Sequence, residues 1–391
     1  MTENAVVARD FVIKIASRCN INCDYCYMYN KGDRSYLKQP KLMSLETVEA
    51  LAQEIKMHGF LNELTDVNLI LHGGEPLLAG LELMNKFVET IEQELVPDIK
   101  PHYFIQTNGI LINDDWCQFF KTNNFNVSVS LDGPENINDI HRLDHKGNGT
   151  FKDTLKGIEK LNEFELSPGL LMVINPDTNP IEMYHFFKKL NFKSVDLLLP
   201  DFHHDSPPPS THNYSTWMTS VFDEWFADTG QKPTIPFFRK IMKLILGADY
   251  NDEYFGTGVI NTIVVETNGD IEPLDALKIC GDNFTKVGLS IKDGGLEHLS
   301  SKDLIRDFAY SKLDLCETCS KCIIKDVCGG GFMPHRYKKD SGFNNPSVYC
   351  KDLIKIIVHI QNKVFDALPD NLKTNHSLEK ISFENVVQQI L

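Results

Sequence analysis

Short apolar runs alternate with longer amphipathic patterns along the first half of the chain, as in alternating strands and helices. The predicted strands, rich in β-branched and aromatic residues, cover 11–16, 67–72, 103–107, 126–131, 170–175 and 195–200. The predicted helices between them begin near Ser44, Gly80, Asn113, Thr150 and Pro180. Six such units bury a parallel sheet under helices but are too few for a closed eight-stranded barrel. We therefore expect an α/β fold, in the form of a partial (β/α)6 barrel of the TIM type.

The second half of the chain lacks this alternation. It opens with the stretch 201–210, whose three consecutive prolines exclude a helix or a central strand and indicate a linker. Helical patterns follow over about 214–248, and Asn268-Gly269-Asp270 between two β-prone runs predicts a hairpin. A region rich in cysteine and glycine then runs to residue 350 and precedes a helix to about 366. The predicted domains are a partial barrel over 1–205, a helical linker over 206–259, a Cys-rich domain with a closing helix over 260–366 and a tail over 367–391.

The composition indicates a soluble globular protein. Hydrophobic residues make up 42% of the 391 positions and charged residues 24%, and no run approaches the ~20 apolar residues of a membrane span. The net charge is -15 and no lysine or arginine run occurs, so nucleic acid is a poor partner. Glu3, Arg9 and Lys14 interrupt any apolar stretch of a secretory signal. We expect a cytoplasmic protein that binds neither nucleic acid nor a membrane.

The cysteines fall into two groups, and Cys117 stands alone in a predicted amphipathic helix, where we expect it in the core. Cys19, Cys23 and Cys26 follow the first predicted strand, on a loop short enough for three thiolates to face one point. Zinc usually takes four protein ligands in paired C-x2-C knuckles, whereas three thiolates leave one metal position open. A [4Fe-4S] cluster with one open iron fits this pattern, and a structural zinc ion or a chance triplet is the alternative.

This loop resembles the signature of radical S-adenosylmethionine (SAM) enzymes, including the tyrosine before its last cysteine. Further matches to that family follow the second, third and fourth predicted strands in order: Gly73-Gly74-Glu75-Pro76, Thr107-Asn108-Gly109 and Ser128-Val129-Ser130-Leu131-Asp132-Gly133-Pro134. Carboxyl ends of strands are where α/β folds bind ligands. The resemblance implies a radical SAM enzyme in which Cys19, Cys23 and Cys26 hold the [4Fe-4S] cluster that cleaves SAM.

The same resemblance implies which residues contact SAM. These candidates are Tyr25, Gly73, Gly74, Glu75, Pro76, Asn108, Ser130, Arg142 and Asn175. In the family the glycine-rich loop meets the SAM amino group, Arg142 or Ser130 would hold the carboxylate, and Tyr25 would line the adenine pocket. The alternatives are an exposed surface position for Arg142 and a role for Tyr25 in shielding the cluster.

The second cysteine group resembles the C-terminal motif of the SPASM subfamily of radical SAM proteins, which modify peptides. Cys319-x2-Cys322-x5-Cys328 is followed by three glycines and, further on, by Cys350. The resemblance implies that these four cysteines bind an auxiliary [4Fe-4S] cluster and that 260–366 forms a SPASM-type iron-sulfur domain. A structural zinc finger is the alternative, because paired C-x2-C spacing also suits zinc.

The sequence departs from the SPASM pattern at two positions. Phe332 and Leu274 stand where members with two auxiliary clusters carry cysteines, so the ordinary ligand set of the first auxiliary cluster is absent. Cys280 and Cys316 are unassigned metal-ligand candidates, which either bind a second cluster with unusual partners or are buried thiols. Because Cys316 continues the C-x2-C spacing, the four-ligand assignment could also shift by one cysteine.

The amino-acid sequences of several segments resemble those of cyclophane-forming maturases of triceptide natural products. These segments are Tyr27–Asp33, Leu198–Asp201, Cys328–Tyr337 and Gly342–Cys350. The resemblance implies a substrate that is a ribosomally made precursor peptide, a reducing electron donor, and a carbon–carbon bond between an aromatic ring and the β-carbon of a residue two positions on. The auxiliary cluster would accept the released electron.

Asp275 is the candidate catalytic base, since related SPASM enzymes carry a catalytic aspartate at the position that follows Leu274 here. A helix N-cap or an exposed turn carboxylate is the alternative for this residue. The same cofactors could instead make formylglycine in a sulfatase or a thioether in a peptide, although the missing first ligand set argues against the sulfatase route. A non-catalytic iron-sulfur or zinc protein that binds a peptide is the third possibility.

Overall fold

The computed structural model describes residues 5–375 and 379–390. Contacts divide these residues into two compact units. The first unit comprises 5–172, 191–193 and 261–309, and the second comprises 173–190, 194–260, 310–375 and 379–390. The predicted barrel domain and tail also include residues 1–4, 376–378 and 391, which lie outside the described residues. The domain boundaries expected from the sequence stay a prediction.

The strands of the described residues follow the predicted alternation. They are β1 (Asp10–Ala16), β2 (Asp66–Gly73), β3 (Lys100–Thr107), β4 (Asn126–Ser130), β5 (Gly169–Val173), β6 (Ser194–Leu198), β7 (Thr262–Val265), β8 (Asp270–Glu272) and β9 (Leu289–Ser290). Each predicted strand is present among β1 to β6, with bounds that differ from the prediction by at most three residues. The predicted hairpin is the antiparallel pair β7 and β8.

The helices of the described residues largely begin where the sequence predicts. They are α1 (Leu45–Leu61), α2 (Gly80–Leu95), α3 (Asp114–Thr122), α4 (Glu135–His141), α5 (Phe151–Glu163), α6 (Pro180–Lys189), α7 (Tyr214–Ala227), α8 (Pro236–Ile245), α9 (Asp303–Ala309), α10 (Glu317–Ser320), α11 (Lys325–Cys328), α12 (Cys350–Ala367), α13 (Asp370–Asn375) and α14 (Phe383–Ile390). The helical pattern over 214–248 is two helices, because Gly230 and Pro233 lie between them. The tail contains α13 and α14, and Val386 of α14 is buried.

Capping residues explain why the helices start at these positions. The Ser44 hydroxyl accepts a hydrogen bond from the Thr47 N–H at 3.2 Å and so begins α1. The Asn113 side chain caps α3 in the same way. Asn179 caps α6, and Pro180 occupies its first position, where no N–H is needed.

In the described residues of the first unit, the strands form one sheet in the order β5-β4-β3-β2-β1-β7-β8-β9. Strands β1 to β5 pair in parallel, and β7 pairs in parallel with β1. The β7–β8 and β8–β9 pairs are antiparallel. The register places Lys14 of β1 beside His72 of β2. Parallel strands end at one edge, so the loops that follow β1 to β4 meet there. The expected α/β class with a parallel sheet is confirmed.

Apolar side chains hold the first unit together. Strand β2 buries Leu69 and Leu71, and α1 buries Leu51 and Ile55. Each such side chain stabilises the fold by roughly 1.5–3 kcal/mol relative to an exposed one. Cys117 is also fully buried, on α3, as expected for a core thiol.

The second unit has its own apolar core. Phe222 of α7 packs edge-on against Phe238 of α8, with ring centroids 5.2 Å apart, and against His359 of α12 at 5.9 Å. In the part of the chain that the structure describes, no helix combines the length and the apolar character needed to cross a membrane.

Candidate functional site

The loop that follows β1 carries Cys19, Cys23 and Cys26. Its turn is fixed by backbone hydrogen bonds, in which Cys26 donates to the Cys23 carbonyl at 3.1 Å and Asn30 donates to the Cys26 carbonyl at 2.8 Å. Burial and the charges of Glu75 and the neighbouring cysteines raise the pKa of Cys19 to about 12. Burial and the charge of Cys23 raise the pKa of Cys26 to about 11. Metal binding to these thiols would therefore have to displace their protons.

The glycine-rich loop after β2 lies directly against the cysteine loop. Gly74 donates its N–H to the Ala16 carbonyl, and Glu75 donates to the Arg18 carbonyl, both at 2.9 Å. A Cβ atom on Gly73 would lie 2.0 Å from the Ala16 carbonyl oxygen, and one on Gly74 would lie 2.1 Å from the Tyr29 hydroxyl. Only glycine allows the two backbones to approach this closely.

Glu75 follows Gly74 in the loop after β2 and is completely buried. Its carboxylate accepts hydrogen bonds from the Leu77 N–H at 3.0 Å, the Thr107 hydroxyl at 2.7 Å and the Asn108 N–H at 2.8 Å. Burial raises the pKa of Glu75, and these three donors oppose that rise. The carboxylate is therefore rigidly oriented before any ligand binds.

Asn108 connects the loop after β3 to the cysteine loop. Its side-chain amide donates to Asn20 at 2.7 Å and lies 3.8 Å from the Cys19 sulfur. Ser130, at the end of β4, accepts a hydrogen bond from Gln106 of β3 at 2.8 Å. The first unit thus brings together the predicted residues on the loops after β1, β2, β3 and β4.

A buried polar triad lies beside Cys23. The Tyr25 hydroxyl donates to Asp132 at 2.5 Å and accepts from the Arg142 guanidinium at 2.9 Å. Arg142 is 7% exposed, so the alternative of an exposed surface arginine is wrong. Its Nε atom is buried and has no hydrogen-bond partner among the described residues. An unpartnered buried donor of this kind costs free energy unless a ligand satisfies it.

Asn175 is the exception among the predicted SAM contacts. It belongs to the second unit, where its side chain accepts a hydrogen bond from the Asp177 N–H at 3.0 Å. This is a local turn contact.

Asp275 lies in a cluster of buried polar side chains in the first unit. It is the first residue of a 3-10 helix over Asp275–Cys280, which Leu274 precedes without a side-chain cap. The carboxylate forms an ion pair with Lys14 and accepts a hydrogen bond from the Tyr27 hydroxyl at 2.8 Å. The capping and exposed-turn alternatives are therefore wrong. Lys14 also contacts His72 Nδ1 at 3.0 Å.

Charge and burial set the protonation of this cluster. Burial alone would raise the pKa of Asp275, but Lys14 and the other donors bring it well below its usual value. Burial and the Lys14 charge lower the pKa of His72 to about 4. At neutral pH the cluster therefore contains a carboxylate and a neutral imidazole.

The sequence prediction missed Lys14, Tyr27 and His72. One signal was available, since Lys14 is a charged residue inside the otherwise apolar strand of residues 11–16. Its partners are distant in sequence, and only the pairing of β1 with β2 and β7 identifies them.

The second unit gathers the C-terminal cysteines from several elements. Cys316 precedes α10, Cys319 lies in it, Cys328 ends α11 and Cys350 begins α12. A hydrogen bond with Cys316, burial and the charges of Cys328 and Cys350 raise the pKa of Cys319. Burial and the charges of Cys328, Cys322 and Cys316 raise that of Cys350 to about 12. Five thiols therefore lie within each other's electrostatic reach.

Cys280 is placed differently. It ends the 3-10 helix that begins at Asp275, is half-buried, and belongs to the first unit. Among residues 5–375 and 379–390, no three His, Cys, Asp or Glu side chains are arranged around a single metal ion. The ligand roles of the cysteines therefore depend on their spacing and on family membership.

Known proteins identify the family. The radical SAM superfamily model matches residues 13–190. An uncharacterized protein of Synechocystis is 34% identical over 382 residues, which cover 92% of each chain. The chain belongs to the radical SAM superfamily. It is a radical SAM enzyme, and this part of the sequence prediction is confirmed.

Two further relatives of this radical SAM enzyme have described activities or ligands. The cysteine-type anaerobic sulfatase-maturating enzyme of Clostridium novyi is 28% identical over 347 residues, covering 86% of this chain and 90% of the relative. The structure of anSMEcpe with bound AdoMet (SAM) and the Cp18Cys peptide is 25% identical, with a TM-score of 0.77, and covers 91% of this chain and 99% of its own.

Membership in the superfamily implies a [4Fe-4S] cluster and SAM, and the residues of the first unit fit both. Three thiols on one loop supply the donor set for a cluster with one open iron. Gly73 and Gly74 let the loop after β2 approach the start of the cysteine loop, at Ala16 and Arg18. The unpartnered Nε of Arg142 offers a buried donor to an anionic group such as a carboxylate.

Proposed function

We propose that this radical SAM enzyme oxidises the β-carbon of a side chain in a peptide substrate and joins that carbon to a nearby aromatic ring. The observation that carries the proposal is the buried carboxylate of Asp275, which is held by Lys14 and Tyr27 in the same unit as the cysteine loop. A group held in this way is suited to accept a proton at a fixed position.

The reaction needs both an oxidant and a base. When bound, the [4Fe-4S] cluster and SAM supply the 5′-deoxyadenosyl radical that removes a hydrogen atom, and an auxiliary cluster supplies an acceptor for one electron. For each carbon–carbon bond formed, the peptide loses one hydrogen atom, one electron and one ring proton. Asp275 accepts that proton, because its carboxylate is charged at neutral pH.

The remaining site residues bind and orient SAM. Arg142 is held by its hydrogen bond to Tyr25, and its unpartnered buried Nε would donate to the SAM carboxylate. Glu75 offers a fixed negative charge to the SAM ammonium group. Cys319, Cys322, Cys328 and Cys350 hold the auxiliary cluster, which matches their SPASM-like spacing.

Resemblance to the triceptide maturases supports crosslink formation as the outcome. Phe332 and Leu274, which replace two cysteines of the first auxiliary cluster, are buried apolar residues. Enzymes that use the first auxiliary cluster carry cysteines at these two positions, whereas this chain has no thiol at either of them.

Formylglycine formation is the second candidate, and one observation favours it. The relative from Clostridium novyi, a sulfatase-maturating enzyme, is similar to this chain over most of its length. Formylglycine formation also oxidises a β-carbon, that of a cysteine or serine, so the same radical and the same base would serve. The two candidates differ only in the fate of the oxidised carbon.

Mass spectrometry of a modified peptide separates these candidates. Short open reading frames beside the gene would each be co-expressed anaerobically with the enzyme, and the peptides would be analysed before and after treatment with a hydrazide probe. We expect a loss of two hydrogens per site, no hydrazide adduct, and no fragmentation inside the crosslinked segment. A hydrazide adduct would instead assign formylglycine formation, and an unchanged peptide despite SAM cleavage would contradict both. The Cys19/Cys23/Cys26→Ala variant is the control and should leave every peptide unmodified.

A further inference from the structure

Lys14 is a charged side chain in the interior of the sheet, where lysine is rare unless it is paired. It is completely buried on β1, between β2 and β7. Its ammonium group contacts the Asp275 carboxylate and the His72 ring, from two other elements of the first unit. An isolated buried ammonium group would be strongly unfavourable, and these two partners compensate for its burial.

The contacts of Asp275 distinguish its two oxygens. Both the Lys14 ammonium and the Tyr27 hydroxyl bind Oδ2. Among the described residues, no donor contacts Oδ1. One oxygen is therefore fixed by protein groups, and the other is left for a further partner.

We infer that Lys14 is a positioning residue for the reaction: it holds Oδ2 of Asp275 in place and leaves Oδ1 to take the substrate proton. His72 supports this arrangement from the neighbouring strand, because its Nδ1 accepts a second N–H of the Lys14 ammonium group. The inference rests on the proposed function, in which Asp275 is the base.

The charges around Asp275 predict a change in pH dependence when Lys14 is lost. The groups that face Asp275 are Lys14 of β1, His72 of β2 and Tyr27 of the cysteine loop, and Glu266 after β7 faces Lys14. In the wild type, Lys14 holds the pKa of Asp275 low. Without Lys14, burial remains and raises that pKa, so the folded protein binds a proton at Asp275 that the unfolded chain releases.

The test compares Lys14→Met, which keeps length but not charge, with Lys14→Arg, which keeps the charge. Each reconstituted holoenzyme would be given SAM, dithionite and the peptide identified by co-expression, between about pH 6.5 and pH 8.5. The readout is the ratio of modified peptide to 5′-deoxyadenosine, which separates proton removal from SAM cleavage. We expect a flat ratio for the wild type and for Lys14→Arg. For Lys14→Met we expect a ratio reduced on the order of tenfold at the lower pH and recovering as the pH rises.

A second measurement needs no substrate. Unfolding of the Lys14→Met holoenzyme is followed over the same pH range and compared with that of Lys14→Met/Asp275→Asn. Because a raised pKa in the folded state contributes stability that is lost as pH rises, the single variant should lose stability with pH and the double variant should lack this extra loss. If Lys14→Met does not fold, Lys14→Gln takes its place in both comparisons.

Two results would overturn the inference: a flat product ratio for the charge-removing variant, or identical pH dependence of stability in the single and double variants. Failure of the proposed function has a different signature. In that case Asp275→Asn would give the wild-type product ratio, or no peptide would be modified, while the stability comparison would still report on the Lys14–Asp275 pair.

Discussion

The buried cations near the two groups of cysteines differ in how they are hydrogen-bonded. Beside Cys23, the buried Arg142 side chain has an Nε donor with no partner among the described residues. Around the C-terminal cysteines, the buried cations are occupied by backbone carbonyls. Lys312 donates to the Gly331 carbonyl and Arg336 to the Ser311 carbonyl, each at 2.7 Å.

This difference indicates different tasks for the two groups. A buried donor that has a fixed orientation but no hydrogen-bond partner suits a site that binds and releases a ligand. Polar groups that hold the surrounding loops suit a site whose own geometry must not change. The first group is therefore expected to control SAM cleavage, and the second to control stability and the fate of the released electron.

Removal of the first group should have the largest effect. The Cys19/Cys23/Cys26→Ala variant is expected to lose SAM cleavage completely, because no thiolates remain to hold the cluster with an open iron. The measurement is 5′-deoxyadenosine formed by anaerobically reconstituted enzyme. Cys117→Ala removes a buried thiol outside both groups and serves as the control. Undiminished 5′-deoxyadenosine from the triple variant would contradict the role of this loop.

Asp275→Asn should have the next largest effect. An amide cannot accept the ring proton with comparable basicity, so the ratio of modified peptide to 5′-deoxyadenosine is expected to fall on the order of a hundredfold. Peptide mass spectrometry and chromatography of 5′-deoxyadenosine provide this ratio. Asp282→Asn changes another aspartate of the same region and is the control. A wild-type ratio from Asp275→Asn with normal iron content would exclude Asp275 as the base.

Sequence patterns predicted the helices and strands more accurately than the polar contacts around the candidate site. Strand periodicity and helix caps act over a few residues, which is why β1 to β6 and the start of α1 were predicted closely. Spacing likewise identified the cysteine loop, because all its members lie within eight positions. The family resemblance, rather than periodicity, singled out Asp275.

The missed contacts depend on the pairing of strands. Lys14 and Asp275 are 261 positions apart in the chain, and their ion pair follows only from the three-dimensional packing of the first unit. Whether Arg142 is buried stayed open in the sequence for the same reason, since its partner Tyr25 and the Asp132 that Tyr25 contacts lie on other loops. Polar side chains in cores are typical places where local patterns mislead, and these belong to the candidate site.

Arg142→Met should have an intermediate effect, which is measured on SAM binding. Loss of a buried charged hydrogen bond costs about 1.5–3 kcal/mol, which corresponds to a tenfold or greater rise in the Kd for SAM. Isothermal titration of SAM into the reconstituted enzyme would measure it. Arg239→Met removes an exposed arginine and should leave the affinity unchanged. An unchanged affinity in Arg142→Met would mean that its Nε does not contact SAM.

Cys316→Ala should have the smallest effect and tests whether the second group contains a surplus thiol. Five cysteines lie near one another there, whereas a [4Fe-4S] cluster takes four ligands. If Cys319, Cys322, Cys328 and Cys350 are those ligands, Cys316→Ala should keep the full iron content. Cys322→Ala should instead lose the auxiliary iron. It should also lose some stability, because metal ligation contributes folding free energy. Iron analysis and thermal unfolding of both variants would measure this difference.

The opposite outcome, iron lost with Cys316→Ala and kept with Cys322→Ala, would shift the ligand set by one cysteine. Zinc in place of iron would remove the electron acceptor and leave the second group a purely structural role.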